Sequence, residues 1–241
     1  MILTSITHAL RTQNWFAVIV EFIIVLSGVV IGFQISAWSE TRIEHGREAL
    51  LISRLAADFD EIEARTAETV TQLTTRIEAG SAFEAMLVQP PEEVDPTDFY
   101  IAMVNAIGTP VPAGRSATYA ELLASGEMRL IRSEALRSAL VEFDEQVRRQ
   151  ELAYASLARL ITDNAGILLE ASTWTVAEID TLPPHLAAAP ADLRRSPDLL
   201  VAARLTIRAN LANRVWHEGT LARARDVLAA LPENAREAGA P

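Results

Sequence analysis

Between Trp15 and Trp38 the chain reads WFAVIVEFIIVLSGVVIGFQISAW, and no other stretch limits its folding so strongly. As a helix rising ~1.5 Å per residue this segment is ~36 Å long, enough to cross a hydrocarbon layer of ~30 Å with a tryptophan at each interface. The fourteen Ile, Leu, Val and Phe residues between Phe16 and Ile35 contribute roughly −0.3 to −0.6 kcal/mol each, which outweighs one carboxylate, Glu21, at roughly +2.5 to +3.5 kcal/mol. A cleaved signal peptide would have a shorter apolar region and small residues at a cleavage site, whereas here Gln34 and Ile35 precede Ser36 and Ala37. A core helix of a soluble domain would have a polar face, which this segment lacks. The expectation is a transmembrane helix over residues 15–38, with Trp15 and Trp38 as interfacial anchors.

The rest of the chain contains no second apolar run of that length, so a single crossing is expected. The net charge is −11 and the acidic excess lies mostly outside the apolar segment, which argues against nucleic acid and against a basic grip on anionic lipid headgroups. With no cysteine, disulfides, thiolate zinc sites and thiol nucleophiles are all excluded. Every Lys+Arg position is arginine, a pattern that reads as base composition and not as function.

Orientation rests on flanking charge. Arg11 and the amino terminus stand unopposed before the segment, while Arg42, Arg47 and Arg54 after it are mixed with Glu40, Glu44, Glu48 and Asp58. A short basic amino terminus before a long domain fits a signal anchor in the inner membrane with the bulk of the chain periplasmic. Counting basic residues alone gives the cytoplasmic alternative.

Proline punctuates the chain beyond the anchor. All eleven prolines fall at 90–112, 183–197, 232 and 241, and the intervals between them have a helical pattern. Leu55, Phe59, Ile62, Thr66, Val70, Leu73 and Ile77 alternate by threes and fours, a coiled-coil-like spacing, on a helix predicted over 47–88 that continues the anchor and has its potential kink at Gly46. A helix over 133–172, capped by Ser133, carries Leu136, Leu140, Phe143, Val147, Tyr154, Ile161, Ala165 and Leu168. A third, over 197–231, opens with Ser196 and Pro197 and carries Leu200, Ile207, Leu211, Val215 and Leu228. Shorter helices are predicted over 97–107 and 117–124.

The expected fold is all-α: an N-terminal transmembrane helix continuing into an antiparallel helical bundle of three long helices with a small helical insertion. In domain terms, residues 1–14 are a flank, 39–232 the bundle and 233–241 a disordered tail. The 175–196 connection is polar and proline-rich, the composition of a mobile linker.

No reaction is written in the residues. None of the four histidines has a glutamate three positions before it, so a carboxylate-bridged metal pair is not expected. His45 and His217 sit beside Glu44 and Glu218, and adjacent helical residues diverge by ~100°, so both histidines read as solvated surface. The acidic runs DFDEIE and EFDEQ read as exposed faces with pairs such as Glu61 with Arg65 and Asp144 with Arg148. Catalytic residues, metal ligands and cofactor-binding residues are therefore expected to be none, and the chain is not read as an enzyme.

The anchor holds the most specific signal. Gly28 and Gly32 form a G-x-x-x-G pair extended by Ser36, and Glu21, Val25, Gly28 and Gly32 fall within ~60° of one another on an ideal helix. Ser27 and Gln34 occupy a different face. Glu21, Val25, Gly28, Gly32 and Ser36 are thus the candidate helix-packing interface, through which a second copy or another membrane protein would approach. Snorkelling of Glu21 and chance placement of the glycines form the alternative account.

The order Glu21, Gly28, Gln34, Trp38, Glu40 resembles the amino terminus of a family of uncharacterised bacterial single-pass membrane proteins. TYAELLASGEMRLIRSEALRSALVEF, with Tyr119, Leu122, Ser125, Gly126, Leu130, Ile131 and Leu136, is similar to that family's second recognisable block. Where the family has Trp-Asn-Glu this chain has Trp38, Ser39 and Glu40, so a role for the middle amide does not carry over. The resemblance implies a helical, membrane-anchored protein and brings no activity, cofactor or catalytic residue. The expected function is a non-catalytic scaffold or interaction protein of the bacterial envelope, with membrane lipid and a partner helix as its contacts. The alternatives are an accessory subunit of a transport or energy-coupling complex that uses Glu21, or a ligand-sensing domain.

Overall fold

The computed structural model describes residues 15–170 and 196–232. The expected flank at 1–14, tail at 233–241 and nearly all of the 175–196 connection lie outside these residues. Among the described residues the chain is all-helical, with five α-helices, two 3₁₀ turns and no strand. The helices are α1 (Trp15–Val88), α2 (Pro96–Ala106), α3 (Ala117–Ser125), α4 (Glu134–Glu170) and α5 (Pro197–Ala230). By contacts the chain divides into two units, Met1–Leu50 and Leu51–Pro241.

The ends of the helices reflect local chemistry. α1 runs without a break through Gly46 and stops just before Pro90 and Pro91, where the missing N–H and the proline ring prevent continuation. Asp95 caps α2 by accepting from the N–H groups of Thr97 (2.8 Å) and Asp98 (3.1 Å). Ser116 caps α3 by accepting from the N–H of Tyr119 at 3.1 Å. Gly126 ends α3 at φ 71, a left-handed conformation that costs glycine nothing. Ser133 caps α4 as expected, accepting from the N–H of Leu136 at 3.2 Å. Ser196 precedes Pro197 at the start of α5, yet its side chain makes no capping hydrogen bond.

Two apolar clusters carry the second unit. One gathers Leu55 and Phe59 of α1, Leu122 of α3, Ile131, Leu136, Leu140 and Phe143 around α4, and Ala224 and Val227 of α5. Its centre is an edge-to-face pair, Phe59 against Phe143, with ring centroids 4.8 Å apart. The other joins Phe83 and Leu87 of α1, Phe99 and Met103 of α2, Leu168 of α4, and Leu199, Ala202 and Ala203 of α5. Residues 51–62 of α1 and the early residues of α4 therefore meet late residues of α5, while the ends of α1 and α4 meet its start. α5 is opposed to both, and α1 and α4 run in the same sense because the α2–α3 insertion carries the chain back between them.

α5 departs from its apolar pattern. Of the expected stripe, Leu200, Ile207 and Leu228 are half-buried, Leu200 and Leu228 against the two clusters, while Leu211 is 36% exposed and Val215 63%. Leu199, Ala202, Ala203, Thr206, Ala209, Asn210, Asn213, His217, Thr220, Ala224 and Val227 point inward instead. α5 approaches its neighbours closely at Gly80 and Gly219. A Cβ on Gly80 would come within 2.7 Å of Ile207 Cγ1, and one on Gly219 within 2.8 Å of Gln146 Nε2. Ile207 fills the space left by the missing side chain of Gly80, and the positions of α5 turned fully inward hold mostly Ala, Thr and Asn.

Candidate functional site

In the first unit, every described side chain from Ile19 to Ile43 is exposed. The described part of α1 includes a stretch long and apolar enough to cross a membrane, and none of that window is buried by the protein itself. Glu21, Val25, Gly28, Gly32 and Ser36 all lie on this helix, and a Cβ at Gly28 or Gly32 would meet nothing within 4 Å. Ser27, on the other face, donates its hydroxyl to the carbonyl of Ile23 at 2.6 Å, so its polarity is spent within the helix. The Arg42 guanidinium lies 5.6 Å from the ring centroid of Trp38, a cation–π contact at the end of the apolar run. Trp15 begins α1, and its side chain lies outside the described ones.

Within the second unit Asp58 acts as a clasp between α1 and α3. Its carboxylate accepts from the hydroxyl of Ser116 at 2.7 Å and from the N–H of Thr118 at 3.0 Å. Burial alone would raise its pKa, but these donors and the charge of Arg54 outweigh burial and hold the carboxyl below its ordinary value. Stability from this clasp is therefore present above the ordinary carboxylate pKa and lost as pH falls through the lowered one. A groove of about 170 Å³ beside it is lined by Asp58, Ile62, Arg65, Arg115 and Ser116. Its charges are already engaged: Arg65 with Glu61 at 2.5 Å, and Arg115 with Glu151 at 2.8 Å and Asp144 at 3.6 Å. The expected pair of Asp144 with Arg148 is replaced by the one with Arg115, and Arg148 meets Glu145 at 3.5 Å.

Between the two apolar clusters α5 contributes a polar layer. Asn213 donates to the Thr109 hydroxyl at 2.7 Å and to the Pro110 carbonyl at 3.0 Å, which fastens α5 to the loop after α2. Thr220 donates its hydroxyl to Gln150 Oε1 of α4 at 2.5 Å. The partners run out there. Gln150 Nε2, Thr206 Oγ1, Asn210 Oδ1, Asn213 Oδ1 and both ring nitrogens of His217 are buried without a hydrogen bond. His217, read from the sequence as solvated surface, has no exposed area at all, and burial pushes its pKa down to about 4.

Sequence reasoning missed this layer. Its signal was available in the helical spacing of Thr206, Asn210, Asn213, His217 and Thr220, which repeats by fours and threes as the apolar stripes do. Among the described residues no group of three His, Asp or Glu is placed to hold a metal. The chain matches no family model, no curated protein and no solved structure.

Proposed function

We propose that this protein is a membrane-anchored, non-catalytic helical scaffold or interaction protein of the bacterial cell envelope. Its amino-terminal part of α1 is the single crossing of the inner membrane, and a helical bundle built on α1, α4 and α5 is displayed in the periplasm. One observation carries the reading: the apolar window of α1 is unburied by its own chain, while the second unit gathers apolar residues of all its helices into two buried clusters. Unburied apolar surface of that extent is stable only against lipid or a partner. The resemblance of Glu21 to Glu40 and of Tyr119 to Phe143 to the family of single-pass bacterial membrane proteins supports the same location. The engaged charges of the groove beside Asp58 give it no obvious group to present to a substrate.

Within the membrane the Glu21, Val25, Gly28, Gly32 and Ser36 face meets a second copy or another membrane protein. Glycines let two backbones approach, and a helix partner spares Glu21 from lipid. Replacing both Gly28 and Gly32 with leucine is expected to abolish lateral association in an in-membrane assay and leave the thermal melt of the second unit unchanged. Loss of association on changing Ser27 and Gln34, with none for the glycines, moves the interface to the other face.

Crosslinking in native membranes, followed by identification of the captured chains, tests the scaffold reading. It requires a reproducible partner or a second copy; capture of neither contradicts it. A chain of residues 46–241 is expected to stay helical and to melt cooperatively without detergent, because its apolar stripes cover one another. Circular dichroism showing no cooperative melt would remove the independent domain. Alkaline phosphatase fused after Pro232 is expected to be active in cells, and an inactive fusion reverses the orientation.

A further inference from the structure

We propose that the polar layer of α5, bonded to α4 through Thr220 and to the loop after α2 through Asn213, is an acid-released latch: proton uptake by His217 opens the middle of α5 from these neighbours while the apolar clusters at either end hold. The proposal is independent of which side of the membrane the second unit occupies.

The geometry sets up the instability. His217 is wholly buried, and neither Nδ1 nor Nε2 has a hydrogen-bond partner, so a second proton would bring a full charge into a site that offers it no acceptor. Charged groups on the packed elements do not compensate it. On α5 itself Arg214 and Glu218 are turned to one another at 3.4 Å. On α4, at the level fixed by the Gln150 to Thr220 bond, Asp144 and Glu151 are held by Arg115, and Glu142 is held by Arg223. On α1 Glu63 is held by Arg225, and the next inward side chains, Thr66 and Leu73, are uncharged. The loop after α2 contributes Thr109 and the Pro110 carbonyl, both spent on Asn213.

The layer is also the place where opening costs least. Around it Gln150, Asn210, Asn213 and Thr206 keep unpartnered atoms that water would satisfy on separation, whereas the clusters at the ends would expose phenylalanine and leucine. The sign is fixed by linkage. A free histidine binds its proton near 6.5, and burial lowers His217 to about 4. Between those values the opened form binds more protons than the closed one. The closed form is therefore fully favoured above 6.5 and loses ground as pH falls toward 4.

Hydrogen exchange of the full chain in detergent micelles, corrected for intrinsic rates, tests this. Between pH 7 and pH 4.5, amides of residues 206–220 are expected to lose on the order of 50-fold in protection, the factor that the two proton affinities imply. Amides of residues 55–62 should change little. In His217→Gln the loss should vanish, and in His45→Gln it should persist. Should His217→Gln fail to fold at neutral pH, His217→Leu supplies the same comparison. Unchanged protection in the natural chain overturns the proposal. So does an equal loss in a folded His217 variant, which would place the effect on carboxylates such as Asp58.

Discussion

Replacing Phe143 with alanine is expected to destabilise the second unit by about 3–5 kcal/mol, the usual cost of removing a buried phenylalanine that its surroundings cannot replace. Phe143 is 1% exposed and its ring meets that of Phe59, which is itself fully buried. The site is poorly placed to collapse, because its walls come from α1, α3, α4 and α5 together. In a domain of this size the loss corresponds to a fall in melting temperature of about 6–20 °C. Denaturant unfolding of the 46–241 chain checks it, and a change below about 1 kcal/mol would mean that the aromatic pair is not packed as described. Phe59→Ala should cost a similar amount. The double variant should cost less than the sum of the two, since both single changes remove the same ring contact.

Gly80→Leu is expected to cost about 2–3 kcal/mol by overpacking, in spite of the better helix propensity of leucine. The first added carbon would already lie 2.7 Å from Ile207 Cγ1. That atom is attached to the β-carbon of a β-branched side chain in a helix, so it has little freedom to swing aside. α1 and α5 would have to separate, and the separation would be felt in the neighbouring cluster at Phe83, Ala202 and Ala203. The discriminating experiment is Gly80→Ala alone and together with Ile207→Ala. The single change should destabilise, and the pair should recover most of the loss because the second change removes the carbon in conflict. A Gly80→Ala variant more stable than the natural chain would show that the helices are not in close contact there.

The chain disclosed its helices more readily than their faces. On α1 the series Leu55, Phe59, Ile62, Thr66 and Leu73 is buried as its spacing predicted, with Val70 and Ile77 half-buried. On α4 Leu136, Leu140, Phe143, Val147, Ile161 and Leu168 are buried in the same way, with Tyr154 and Ala165 half-buried. In both helices large apolar residues face the two buried clusters, so hydrophobicity and burial coincide. On α5 they separate. The fully buried positions of α5 are mostly Ala, Thr and Asn, and a reading based on apolar size selects the half-buried and exposed residues beside them. His217 was misplaced for the same reason: proximity to Glu218 in sequence says nothing about which of the two turns inward. The long apolar helix at the start of α1 was legible because length and composition suffice for it. Its proposed interface is a statement about a second helix, which a single chain does not contain.

The position of α5 in the chain gives the fold an order in time. Each apolar cluster takes residues from it, Leu199, Ala202 and Ala203 in one and Ala224 and Val227 in the other. A ribosome that has delivered everything up to residue 196 has made Phe59, Phe83 and Phe143 without yet making the helix that covers them. Both clusters are therefore completed only after α1 to α4 have been made. Nascent chains stalled before α5 should be bound by chaperones that recognise apolar segments, and released chains truncated there should be degraded rapidly. Because α5 supplies both clusters, a chain truncated before residue 197 leaves each of them open on one side.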